Sequence, residues 1–210
     1  MKGSHDFLMA IEMHRLILET PFPWNIRNHQ PINKPDGYLS YANQAEDAYG
    51  EGGRFAHMAF AAGLLYDILK LIITHYHKDR KMKLHDFLEN NFRHGEKTAR
   101  IVMSLSKEIK SLELFEFVFA VGLIHDIGKV IMAILFPEYS EFLVKIEKEE
   151  LPRAVRVYSE RQKFGFDHAF FGSEICRHFP VFRSIYAAVL FHHDPYFLDR
   201  KTNETTYVLA

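Results

Sequence analysis

Seven side chains stand out in this 210-residue sequence as groups that hold metal ions or carry protons and charge: His94, the pair His125-Asp126 with Lys129 one turn later, His168, and the pair His192-His193. Imidazole with carboxylate suits zinc, manganese or iron, lacks the soft donors copper prefers, and offers too many nitrogens for calcium or magnesium. Adjacent residues on a helix point about 100° apart, so His125 and Asp126 can address one ion only from a distorted turn. The apolar run Phe117 to Ile124 leads straight into the pair. A carboxylate in such surroundings needs a metal or a cation beside it. Spacing alone leaves two readings open: metal ligation, or a buried hydrogen-bonded network of His125, Asp126 and Lys129. Thirteen histidines are present in all, and His5, His14, His29, His57, His75, His77, His85 and His178 have ordinary uses at helix ends and half-buried surfaces.

The elements that must position these groups read as helices. From Phe55, the residues Met58, Ala62, Leu65, Leu69 and Ile72 follow at alternating spacings of three and four, the signature of a helix facing a core. Further helices are expected at about 85–110, 112–136, 138–148, 152–164, 167–179 and 181–193, and all seven groups fall on them. Asp167 stands at an N-cap, Gly165 at a C-cap, and Gly172 at a close helix contact. Phe7 to Leu18 suggests a short first helix, Thr20 to Gly37 with its four prolines an extended connection, and Lys78 to Lys83 a solvated turn. The nineteen phenylalanines, Phe170-Phe171 and Phe191 included, are expected in the core beside Tyr186. Together these features predict one all-α domain over 1–210: a helical bundle with a smaller N-terminal part over about 1–90 and a core over about 91–195.

Composition excludes several classes. With 26 Lys+Arg against 27 Asp+Glu, the net charge of -1 gives no general attraction to nucleic acid or anionic membranes, so neither is an expected partner. The single cysteine, Cys176, forms no thiolate metal motif and fits a reducing, cytoplasmic setting. Glu12, His14 and Arg15 interrupt the first apolar segment, which is unsuited to a signal-peptide core or a membrane span.

The run Gly122-Leu123-Ile124-His125-Asp126-Ile127-Gly128-Lys129 resembles the signature of the HD metal phosphohydrolase superfamily, and His94 resembles its first histidine. Glu160 to Gly172, containing Gly165-Phe166-Asp167-His168, His192-His193-Asp194-Pro195, and upstream Tyr41-Ala42-Asn43 with Ala59 to Leu71 resemble the HDOD branch, over most of 38–195. The resemblance implies an HD-like bundle and a divalent ion, iron, manganese or zinc, held by His94, His125 and Asp126. A second ion would use His168 with His192 or His193, bridged through Asp126. It also implies a bacterial signalling module that works through a partner protein or fused domain, with weak or no catalysis. The other implied function is a metal-dependent phosphohydrolase acting on a phosphorylated small molecule, a nucleotide or cyclic dinucleotide. There Asp126 and Lys129 would be catalytic, Lys129 steadying phosphoryl charge; a salt bridge from Lys129 to Asp126 or Glu96 is the alternative. His168 could also serve only the first turn of its helix, and one of His192 and His193 only structure. Two departures from the pattern bear on activity. The later Asp that usually completes the first site has no match, although Tyr207-Val208-Leu209-Ala210 resembles the run before it, which suggests truncation at Ala210. The Gly-Tyr-Pro loop of the cyclic-dinucleotide phosphodiesterases is replaced by Asp194-Pro195-Tyr196-Phe197.

Overall fold

The computed structural model describes residues 24–25, 30–31, 41, 43–45, 56–77, 79–109 and 112–197. Its helices are α1 (Ala56–Tyr76), α2 (Lys81–Ile109), α3 (Leu112–Ile124), α4 (Ile127–Leu135), α5 (Tyr139–Lys148), α6 (Arg153–Phe164), α7 (His168–His178) and α8 (Tyr186–Phe191), with short 3-10 helices at Pro180–Ile185 and Pro195–Phe197. Among the described residues the sole extended pairing is Trp24–Asn25 against Gln30–Pro31, within the stretch expected to be extended. The fold is all-α, as the periodicity predicts. The first helix expected at Phe7 to Leu18 lies outside the described residues.

Two expected helices are broken, the first of them at His125 and Asp126. The span 112–136 divides into α3 and α4 at a turn made of His125 and Asp126. The span 181–193 divides into a 3-10 helix and α8, and His192 and His193 occupy the turn after α8. Neither pair lies within a helix: Asp126, at φ -98° and ψ 6°, leaves the helical path, whereas His192, at φ -62° and ψ -20°, follows it as the C-cap of α8. The apolar pattern runs through both breaks unchanged, since each flank is buried against the same core.

One cluster of buried residues joins α1 to α8, with Tyr66, Phe92, Phe119, Tyr139 and Phe182 among its largest members. Phe171 belongs to it, whereas Phe170 is 38% exposed and stacks on Phe166, contrary to the core expectation. Tyr186 and Phe191 are half-buried. The window Val118–Leu135 is apolar and long enough to cross a membrane by composition, and 94% of it is buried inside the fold.

The helices meet so closely that glycine is required at the contacts. A Cβ on Gly122 would stand 2.5 Å from Ala99 Cα, so α3 lies backbone to backbone on α2. A Cβ on Gly128 would stand 1.8 Å from the His168 carbonyl oxygen, which fixes α4 against α7. Asp167 caps α7 through Phe170 N at 2.8 Å and is paired with Arg161. Gly165 ends α6 at φ 84°, the left-handed conformation expected of a C-cap glycine. The charge run after α1 does more than form a turn. Arg80 donates to the carbonyls of Ala133 (3.3 Å) and Ile134 (3.0 Å), capping the C-terminus of α4.

Because Gly128 has backbone as its neighbour, Gly128→Ala must push α4 from α7. Overpacking of this kind costs about 1–3 kcal/mol, or roughly 2–12 °C in Tm at 2–4 °C per kcal/mol for a chain of this length. A thermal melt unchanged by the substitution would show that the two helices are not held at this distance.

Candidate metal centre

Asp126 lies at the centre of the site, with its side chain 4% exposed. Its Oδ2 is 3.4 Å from His94 Nε2, 3.5 Å from His125 Nε2 and 2.6 Å from Lys129 Nζ. Its Oδ1 is 3.2 Å from His168 Nε2 and 3.6 Å from His192 Nε2. His193 Nε2 in turn lies 2.8 Å from His168 Nε2. The six side chains named from the sequence as metal ligands are thus brought together in two groups that share one carboxylate. His94, His125 and Asp126 form one, and Asp126, His168, His192 and His193 the other, with the donor atoms of each group mutually within 4.8 Å. His94, in the middle of α2, is the open edge of the first group at 55% side-chain exposure.

Three of the imidazoles are oriented alike. His125 Nδ1 donates to Gly122 O at 2.8 Å, His192 Nδ1 to Val189 O at 2.7 Å, and His168 Nδ1 to Glu160 Oε2 at 2.8 Å. Each proton is thereby held on the outward nitrogen, and Nε2 faces Asp126 with its lone pair when the ring is neutral. Carbonyls at the helix break are bonded by side chains of α1 and α2. Leu123 O accepts from Tyr66 OH at 3.0 Å, and Asp126 O accepts from Asn91 Nδ2 at 3.2 Å. Tyr66 also reaches Asn91 Oδ1 at 2.8 Å, which joins α1 and α2 to the turn.

Glu160 is the residue of the candidate site that the sequence did not single out. Buried on α6, its Oε2 accepts from both the backbone N (2.9 Å) and Nδ1 of His168, and its Oε1 accepts from Tyr139 OH at 3.2 Å. The sequence did carry a sign: Glu160 falls on one helical face with Val157 and Phe164, both buried, and an acid on an apolar face needs a partner. Lys129 pairs with Asp126, whereas Glu96 is engaged by Arg100. This settles the alternatives left open for the lysine's salt bridge.

The electrostatics follow from burial and proximity. Burial alone would raise the Asp126 carboxyl, but the His125 imidazole, the Lys129 ammonium and the neighbouring rings of His168 and His192 hold it well below the usual carboxylate range. Burial pushes His125 down to about 3, and burial with the neighbouring His192 and His168 pushes His193 down to about 2. For His168 burial acts downward, yet the carboxylates of Asp126 and Glu160 outweigh it and raise the ring to about 9. Asp126 Oδ1, His192 Nε2 and His193 Nδ1 are buried without a hydrogen-bond partner. Unsatisfied buried acceptors around a carboxylate are costly. Two of the three face the shared centre, so a cation there would satisfy them, and the donor set fits a first-row divalent ion.

Fold and site together define an all-α domain with a histidine and aspartate cluster able to hold metal in a bridged arrangement. The family model for the HDOD domain matches residues 78–195, more than half of the chain, and the chain belongs to that family. The match begins after α1, so the likeness drawn over 38–77 lies outside it. No curated protein and no solved structure matches.

The shifts set the pH dependence of the metal-free protein. His125 and His193 are held neutral, so their stabilisation is present above about 6.5 and is lost as pH falls towards 3 and 2. His168 is held charged, so its contribution is present below about 6.5 and is lost as pH rises through 9. Chelated protein should therefore be most stable near pH 6.5 in denaturant titrations. Metal uptake requires a neutral His168 and should abolish the alkaline decline. A decline above pH 7 that persists unchanged with saturating Mn²⁺ would count against ligation by His168.

Proposed function

We propose that this chain is a regulatory HDOD module whose core is set by divalent metal at the Asp126 site, with weak or no catalysis. The observation that carries the reading is the pair of ligand groups sharing one buried carboxylate, with buried acceptors unsatisfied until a cation arrives. Asp126, His168, His192 and His193 would hold one ion of iron, manganese or zinc, and His94, His125 and Asp126 a second. The first group offers three donors among the described residues, one of them half in solvent, which supports a loosely held second ion over a tight pair. Membership of a signalling family supports a role exercised through a partner protein or a fused domain, in the cytoplasm.

The competing reading is a phosphohydrolase, favoured by a cavity of about 340 Å³ that opens onto both ligand groups and Lys129. Metal bound there would lower the pKa of a coordinated water and polarise a phosphoryl oxygen. The protein's own contribution would be orientation: Gly122 O, Val189 O and Glu160 aim the imidazoles, while Lys129 steadies charge beside Asp126.

An ion bound only to the folded chain stabilises it by about 2.7 kcal/mol at one hundred times Kd. A strong chelator at neutral pH should therefore lower Tm by about 5–11 °C. Asp126→Asn should abolish that response, and manganese-supplemented assays on nucleotides and cyclic dinucleotides should give little turnover. An unchanged melt together with no metal by elemental analysis would leave the cluster as a buried polar network. Robust manganese-dependent hydrolysis, lost in Asp126→Ala, would establish the enzyme reading instead.

A further inference from the structure

We propose that the cavity beside Asp126 binds a small phosphorylated molecule with a second anionic group, gripped by Arg153 and Arg156 at the cavity mouth. This rests on the metal reading above for the first anion, while the second is assigned from α6 alone. Arg153, Arg156, Val157 and Glu160 share one face of α6, at spacings of three and four, and all four line the cavity. Along that face burial deepens in order: Arg153 exposed, Arg156 half-buried, Val157 and Glu160 buried. The stripe therefore runs from solvent to the carboxylate that holds His168.

At 1.5 Å per residue, Arg156 and Arg153 stand about 6 and 10 Å along the axis from Glu160. Leu143 and Ile146 of α5 and Val157 are the buried apolar residues of the lining. Arg156 Nε donates to Leu151 O at 2.8 Å, which restrains the guanidinium. Glu147 lines the cavity beside the two arginines. The occupant that fits has a phosphate at the metal and Lys129, an uncharged middle against Leu143, Ile146 and Val157, and a second anion at the arginines. Planar guanidinium forks suit phosphate or carboxylate at that position. The cavity volume of about 340 Å³ falls at the small end of ligand sites, which favours a ligand of nucleotide size.

Calorimetric titration of the manganese-loaded chain tests this with three probes: inorganic phosphate, a nucleoside 5′-monophosphate and a nucleoside 3′,5′-bisphosphate. The bisphosphate should bind at least tenfold more tightly than the monophosphate. Arg153→Gln/Arg156→Gln should erase that preference while leaving manganese stoichiometry and phosphate binding unchanged. Arg153→Glu, on an exposed side chain, reads the same preference should the double variant fail to fold. Equal binding of the two nucleotides by the native chain, no binding of the bisphosphate, or a preference that survives both variants overturns the proposal. Should the native chain take up no manganese, the metal reading fails separately. The comparison without metal then decides the arginine pair by the same preference.

Discussion

A single buried carboxylate governs this structure. Removing Asp126 from water costs several kcal/mol, and the surrounding architecture meets that cost with one ammonium and imidazoles drawn from α2, α7 and the turns after α3 and α8. The turn that presents it also frees backbone groups, which Tyr66, Asn91 and His125 satisfy from three directions. Fold and site meet at Gly122 O, a carbonyl at the break that also orients His125.

The histidines show how the chain sets protonation without a bound ion. A carbonyl takes the outward proton of His125 and of His192, and these acceptors are neutral. For His168 the acceptor is Glu160, an anion that adds to Asp126, and the two carboxylates raise this ring to about 9 where burial pushes His125 down to about 3. One cluster thus contains a proton-poor and a proton-rich imidazole, each facing an oxygen of the same carboxylate.

Much of this was legible in the sequence, for local reasons. The period of α1, the cap at Asp167 and the C-cap at Gly165 depend on neighbours a few residues away, and such signals survive in a linear reading. The six candidate ligands were legible through their types and family pattern. The two helix breaks were not, because burial on both flanks keeps the apolar pattern continuous through His125-Asp126 and up to His192. Nor were Glu160 or Arg80, whose partners lie on other elements: His168 and Tyr139 for the acid, the end of α4 for the arginine. Phe170 was misjudged because an aromatic residue two places into an amphipathic helix faces inward or outward by one step of 100°.

The contact between Gly128 and His168 has a mechanical meaning. Most helix pairs are separated by side chains, which can change rotamer and absorb a displacement of a few tenths of an ångström. Here carbonyl rests directly on Cα, leaving no deformable layer. Since His168 is the first residue of α7, any shift of its backbone is passed undamped to α4 and on to the Arg80 clasp at that helix's far end.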